Sequence, residues 1–364
     1  MSSSSPFLSL PGAVDGTGMD AGVPAHYGNP VAEQRALAAG SAIVDLSRRA
    51  VLSVAGDDRL SWIDSLTSQS VKQLAPGESS ETLLLDPTGH IEYAVRLMDD
   101  GTELWLLLEA DEAAGLLAWL TKMRFMLRVE PRDRTAEFAT VGTLGGPDIT
   151  AAAPNGLPLV WHDPWSSVTP GGHQYSTVAE HPSAGWTYSE ILVSRESLAE
   201  LTTLPVAGML ALEALRIEAW RPRFATEADE KSIPHELDWL RSAVHLEKGC
   251  YRGQETVAKV HNLGHPPRRL VMLHLDGSDA VLPERSDEVV LGDAVVGVVT
   301  SVARHHELGP IALAVIKRST DPTAELAVRA GDTLVPAAQE IVVPPDAGAE
   351  ANIPRLPRLG SVTR

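Results

Sequence analysis

Cysteine is all but missing from this sequence: Cys250 stands alone in 364 residues. A single thiol forms no internal disulfide, and it does not by itself complete a four-ligand zinc or iron–sulfur site. Positive charge is also scarce, with 30 Lys and Arg against 48 Asp and Glu and a formal charge of −18. Such a surface repels nucleic-acid backbone and anionic membrane, so neither is expected as a partner. A local basic pocket can still hold a small anion, because nearby cations outweigh distant charge. No apolar run approaches the roughly 18–20 residues that cross a bilayer. No glycine-rich nucleotide loop follows a strand, and no Gly-x-Ser-x-Gly elbow occurs. His261 with His265 and the pair His305-His306 lack a third ligand at a recognised metal spacing.

The N-terminus lacks a basic stretch followed by an apolar one. Residues 1–28, rich in Ser, Pro and Gly, therefore read as a disordered leader and not as a secretory signal. With one cysteine, this points to the cytoplasm. The Pro- and Ala-rich residues 344–364 read as a loose tail.

What is present suggests more than one core. A chain of 38.9 kDa exceeds most single-core domains. Helix-forming composition follows Pro30 over residues 31–39, and a short β-branched run covers 50–54. Asp57 and Asp58 then offer caps for a helix through Leu66. Strands are expected at 79–85 and 91–97, joined by the turn Asp86-Pro87-Thr88-Gly89, and again at 103–108. A helix over 111–123 would bury Ala114, Leu117, Ala118 and Leu120. A strand over 186–193 and helices over 197–201 and 208–220 follow. Beyond Pro266-Pro267, four or more short strands punctuated by Gly-Asp turns predict a small antiparallel β-barrel. The order of elements argues for α+β layers, not a parallel βαβ series.

Chemistry concentrates in Lys248-Gly249-Cys250-Tyr251-Arg252-Gly253-Gln254-Glu255. The two glycines permit a tight loop or a close approach of backbone to a ligand, or they simply close turns. Lys248 and Arg252 favour a Cys250 thiolate, while a free cysteine is also commonly just buried. Gln254 and Glu255 can read a polar heterocycle, and Tyr251 can stack on a flat ring. Arg216 and Glu218 form a second pair; on one helix they would point about 200° apart, and they converge only if the helix ends by Leu215.

The octapeptide resembles the K-G-C-[FY]-x-G-Q-E pattern of the YgfZ family of folate-binding proteins, relatives of the glycine-cleavage aminomethyltransferase (T-protein). The likeness runs from about Leu46 to Val335. It includes Gly56-Asp57-Asp58, Leu66-Thr67-Ser68, Leu85-Asp86-Pro87-Thr88-Gly89, Arg216-Ile217-Glu218 and Ile233-Pro234-His235-Glu236. The stretch Pro266-Pro267-Arg268-Arg269-Leu270 resembles actinobacterial members. The resemblance implies a three-domain GcvT/YgfZ-like arrangement around a central folate pocket. Residues 29–265 would form two interleaved α+β domains, and residues 268–343 the barrel. It further implies tetrahydrofolate or a one-carbon derivative as cofactor, read by Arg216, Glu218, Lys248, Tyr251, Arg252, Gln254 and Glu255. Cys250 would supply the family thiol. Iron–sulfur enzymes or cluster-assembly proteins would be the partners.

One departure matters. The aminomethyltransferases carry paired aspartates after a Gly-Gly turn, whereas this chain has Gly89-His90-Ile91-Glu92-Tyr93. Glu92 stands in, but its extra methylene displaces the carboxylate by about 1 Å, a shift on the order of 10²-fold in rate. The sequence thus favours an accessory protein that supports iron–sulfur enzymes. The alternatives are a tetrahydrofolate-dependent aminomethyltransferase or demethylase-like enzyme, and a folate-independent scaffold.

Overall fold

The computed structural model describes residues 4–278 and 281–351. It is α+β, as expected, with two five-stranded sheets and a closed six-stranded barrel. In one sheet the strands run in the order Ser79–Leu85, Ile91–Asp99, Glu103–Leu108, Ala50–Ala55 and Glu130–Asp133. The other has Val160–His162, Tyr188–Ser194, Phe138–Leu144, Ile43–Asp45 and Val206–Ala207.

Period-2 alternation decides how the first sheet is covered. Leu104, Leu106 and Leu108 pack with Trp62, Leu116 and Leu120, side chains of the Arg59–Leu66 and Ala113–Met123 helices. Trp105 and Leu107 point the other way, into the main core. A strand buried on both faces reads as an unbroken apolar run, which is how Glu-Leu-Trp-Leu-Leu-Leu appears in the sequence. Within the Ala113–Met123 helix the expected face is out of phase. Ala113, Leu116 and Leu120 are buried, whereas Ala114 and Ala118 are exposed. Two alanines carry little apolar area, so the leucines set the rotation.

The barrel strands are Arg268–Leu275, Glu288–Leu291, Ala294–His305, Gly309–Lys317, Leu326–Ala330 and Thr333–Ile341, all antiparallel. Val271, Leu273, Ala312, Ala314 and Ile316 fill the interior. Their alternates Leu270, Met272, Leu313 and Val315 face outward into the main core, so the barrel docks through a second apolar face. No helix among the described residues is long and apolar enough to cross a membrane.

The described part of the expected leader, residues 4–28, is not disordered. Ser5 caps a 3-10 turn at Pro6–Ser9 and its hydroxyl donates to Asp45. Phe7 is fully buried against Ile43, Ala139 and Val141. Farther along, Asp20 pairs with Arg223 at 2.8 Å. Composition suggested flexibility, but one buried aromatic, one buried hydrogen bond and one part-buried ion pair hold the segment. The tail is corrected in part as well. Val342, Val343 and Ala347 are buried, and the amides of Glu350 and Ala351 donate to the carbonyls of His261 and Asn262. Residues 352–364 lie outside the described residues.

Asp238 sits between two 3-10 turns in the left-handed region at φ 56°, fully buried. Burial pushes its carboxyl up to about 7. It outweighs the opposing pull of Arg241, whose Nη1 at 3.9 Å is too far for a hydrogen bond. The raised value fixes the sign of the pH effect. The folded state keeps the proton between about pH 4 and 7, so this contribution to stability is present below pH 4 and fades as pH rises through 7. Asn tolerates the same backbone. Asp238→Asn is therefore expected to be more stable than the parent by about 1–3 kcal/mol at pH 8, and equal to it at pH 4, in urea unfolding.

Candidate functional site

The cysteine loop is held by its lysine. Lys248 Nζ donates to the carbonyls of Asp64 (2.6 Å), Thr67 (2.9 Å) and Gln69 (2.6 Å). These oxygens lie at and beyond the C-terminus of the Arg59–Leu66 helix, where unpaired carbonyls and the helix dipole attract a cation. Lys248 is thus a structural staple and not a ligand-reading cation. Tyr251 is buried, with its ring centroid 5.5 Å from the same Nζ. Gln254 Nε2 donates to the Lys248 carbonyl at 3.3 Å. Glu255 is exposed in the first turn of the Gln254–Leu263 helix. Cys250 is exposed as a free thiol.

Gly253 has φ 83°, and a Cβ there would stand 2.7 Å from the carbonyl of Asp86. Its close approach is to the 86–89 turn, not to a ligand. Gly89 completes the interlock, since a Cβ on it would meet Thr256 at 2.7 Å.

Arg216 and Glu218 do not form a pair. Their helix, Met209–Glu218, continues through both, and the chain reverses only at Trp220 (φ 57°). Glu218 is part-exposed beside His305 Nε2 at 3.1 Å. Arg216 turns inward to Glu213, Glu227 and Ser301.

It joins a buried network at the centre of the molecule. Arg49 and Arg96 pair with Glu190, Arg223 grips Glu109 through two bonds at 2.8 and 3.0 Å, and Arg221 bridges Glu81 and Asp163. Burial acts to raise Glu109, Glu190 and Glu213, yet the arginines prevail and hold all three below the usual carboxylate range. About 30 Å³ remains free, room for a water or two and far below the roughly 300–1,000 Å³ of small-molecule sites. Arg216 lines this small space and no residue of the cysteine loop does, so it is not a pocket shared by the two expected elements.

An open groove of about 670 Å³ lies elsewhere, lined by Glu92, Tyr93, Gly115, Trp119, Phe224 and Glu230 among others. Its strand, Ile91–Asp99, carries a β-bulge: Leu84 pairs with Tyr93 and Leu85 with Ile91, leaving Glu92 as the extra residue. Neighbouring strand residues normally face opposite sides, but a bulge rotates one of them, and here Glu92 and Tyr93 both line the groove. Arg252 of the cysteine loop pairs with Glu92 and lies 5.7 Å over the Trp119 ring. Of the expected cofactor-binding residues, Arg252 is the one placed against this groove through a groove side chain. At the groove's edge Asp86 is partly buried, but amides of Thr88 and His90 donate to it and hold its carboxyl down at about 2. Tyr93, Trp119 and Phe224 escaped the sequence reading. They come from three separate elements, and only the adjacency of Tyr93 to Glu92 offered a hint.

These features define a class. Residues 268–345 match the glycine cleavage T-protein C-terminal barrel domain. The structure is similar to the glycine cleavage system aminomethyltransferase T from Bartonella henselae, with a TM-score of 0.70 and 18% identity over 90% of this chain and 92% of that one. The chain thus has the aminomethyltransferase-family fold. Among characterised sequences, it is 26% identical to an aminomethyltransferase of Symbiobacterium thermophilum over 77% of its own length and 79% of the relative's. A second aminomethyltransferase, from Thermosynechococcus vestitus, is 28% identical over 88% of each chain.

Proposed function

We propose that this protein transfers a one-carbon unit from a small amine to tetrahydrofolate, as an aminomethyltransferase- or demethylase-like enzyme, and that the reactants meet in the Glu92 groove. The observation that carries this reading is the place of Glu92 on the groove wall, at the position where the resemblance expects a catalytic carboxylate. The names of the relatives support it. So does the size of the groove, which falls within the range of small-molecule sites, whereas the central space does not.

Tetrahydrofolate, when bound, supplies the nitrogens that accept the carbon. The chain's own residues do the rest. Phe224 offers a flat apolar face for a ring, and carboxylates of Glu92 and Glu230 can accept ring and amino N–H donors. Glu92, oriented by Arg252, would serve as the proton acceptor and donor for the amine.

The test is to incubate the protein with tetrahydrofolate and a panel of small amines, following methylenetetrahydrofolate from aminomethyl donors and methyltetrahydrofolate from N-methyl donors, so that each transfer is redox-neutral. Saturable, enzyme-dependent product is expected. Folate binding without product from any amine would overturn the transfer reading. It would favour the iron–sulfur accessory role, for which the exposed Cys250 thiol is the relevant feature, and rescue of iron–sulfur enzyme activity should then be lost in Cys250→Ala. Absence of folate binding altogether would leave the scaffold reading.

A further inference from the structure

We infer that Tyr93 donates a hydrogen bond to the ligand of the groove, and that Gly115 is kept free of a side chain to hold the Tyr93 hydroxyl in place. The inference rests on the folate reading of the same groove and adds to it the residue that would read the ligand's edge.

Four observations meet here. The bulge at Glu92 brings Tyr93 to the groove instead of leaving it on the opposite face of the sheet. The Tyr93 side chain crosses to the Ala113–Met123 helix, where a Cβ built on Gly115 would stand 2.6 Å from its hydroxyl oxygen. Among the described residues no protein group takes up that hydroxyl's hydrogen, which leaves the donor available on the groove side. Burial, followed by the charges of Glu92 and Glu112, pushes the phenol above its ordinary range, so it remains a donor at any working pH.

The remaining wall explains what the hydroxyl would meet. Gly115 and Trp119 are four residues apart on one helix face, and both line the groove. A planar ring seated in the groove against Phe224 would bring its edge towards Tyr93 and Glu92. The carboxylate accepts, the phenol donates, and together they recognise an edge that carries both an N–H and an acceptor. The ligand class is thus a planar heterocycle with adjacent donor and acceptor, such as an amide-like ring edge. Glycine inside a helix is otherwise disfavoured relative to alanine. Its presence at residue 115 makes sense if the hydroxyl needs the space.

Gly115→Ala makes a discriminating test, because helix propensity favours it while a new methyl displaces the phenol. The displaced atom is the far end of a side chain, so the fold should absorb the change. Tetrahydrofolate affinity of the full chain is measured by calorimetry for the parent, Tyr93→Phe, Gly115→Ala and the double variant, with thermal unfolding as the control. Each single variant should bind roughly 3- to 10-fold more weakly with its melting midpoint unchanged or raised. The double variant should be no weaker than either single one. Tyrosine difference absorbance on ligand addition should vanish in Tyr93→Phe. Parent-like affinity of Tyr93→Phe, or additive losses in the double variant, would overturn the inference while leaving the folate reading standing. Failure of the parent itself to bind would bring down both.

Discussion

Arg216→Met is expected to destabilise the protein by about 3–5 kcal/mol, because it takes the guanidinium away from the buried Glu227 and leaves Glu213 with Arg223 as its remaining ion-pair partner. Arg216 spends all of its donors inside the molecule. Nε and Nη2 meet the two Glu213 oxygens, Nη1 reaches Glu227 at 3.0 Å and the Arg221 carbonyl at 3.1 Å, and Nη2 also contacts Thr226 and Ser301. The Glu227 side chain is completely buried. Ser301 belongs to the Ala294–His305 strand, so the same guanidinium ties the barrel to the Met209–Glu218 helix. A methionine fills the volume but satisfies neither acid.

The pH dependence separates this account from simple loss of packing. Burial works to raise Glu213, and the charges of Arg216 and Arg223 overcome it, leaving the carboxyl below its ordinary value. A lowered value means that its stabilisation is present above about pH 4.5 and is lost as pH falls through the folded-state value. Without Arg216 that advantage shrinks, so the deficit should be largest near pH 7 and narrow towards pH 4 in urea unfolding. A loss below 1 kcal/mol, accompanied by weakened folate binding, would restore the ligand-reading role that the sequence suggested for this residue.

The contrast shows which parts of the molecule were legible. The 79–99 hairpin and the barrel could be read from alternation and turn residues, because both signals are local. The helix through Arg216-Ile217-Glu218 was readable as well, whereas the left-handed backbone of Trp220 just beyond it was not. Lys248 looked like an anion binder because its partners are backbone carbonyls of residues 64, 67 and 69, which no side-chain pattern reveals. The centre of the molecule was misjudged for a related reason. Arg49, Arg96, Arg221 and Arg223 are scattered along the chain, and only tertiary structure turns them from surface charge into the filling of a cavity. Glu92 was singled out through resemblance. The bulge that gives it a neighbour in Tyr93 is set by register against Leu84 and Leu85, not by its own residues.

Glu92→Gln is expected to lower the rate of one-carbon transfer by about 10²–10⁴-fold, the usual size of a positioned acid–base contribution, with little effect on folding. Stability should hold because Glu92 and Arg252 are 35% and 30% exposed in their side chains, and exposed pairs contribute only about 0–1 kcal/mol. Glutamine keeps the length and can still accept from Arg252, so it removes charge and proton transfer while preserving shape. Glu92→Asp asks a different question. It restores the residue type of the aminomethyltransferases but withdraws the carboxylate from Arg252 by about 1 Å, and misplacement of that size is worth on the order of 10²-fold. If the bulge, Arg252 and the longer side chain form one matched unit, aspartate should be impaired, though less than glutamine. Initial rates of methylenetetrahydrofolate formation decide the order. A faster aspartate variant would mean that Glu92 is a substitution the groove tolerates and not the residue it is built around. A glutamine variant with parent-like rates would remove Glu92 from the chemistry and move the search for the proton acceptor to Asp86, His90 or Glu230, which share the groove.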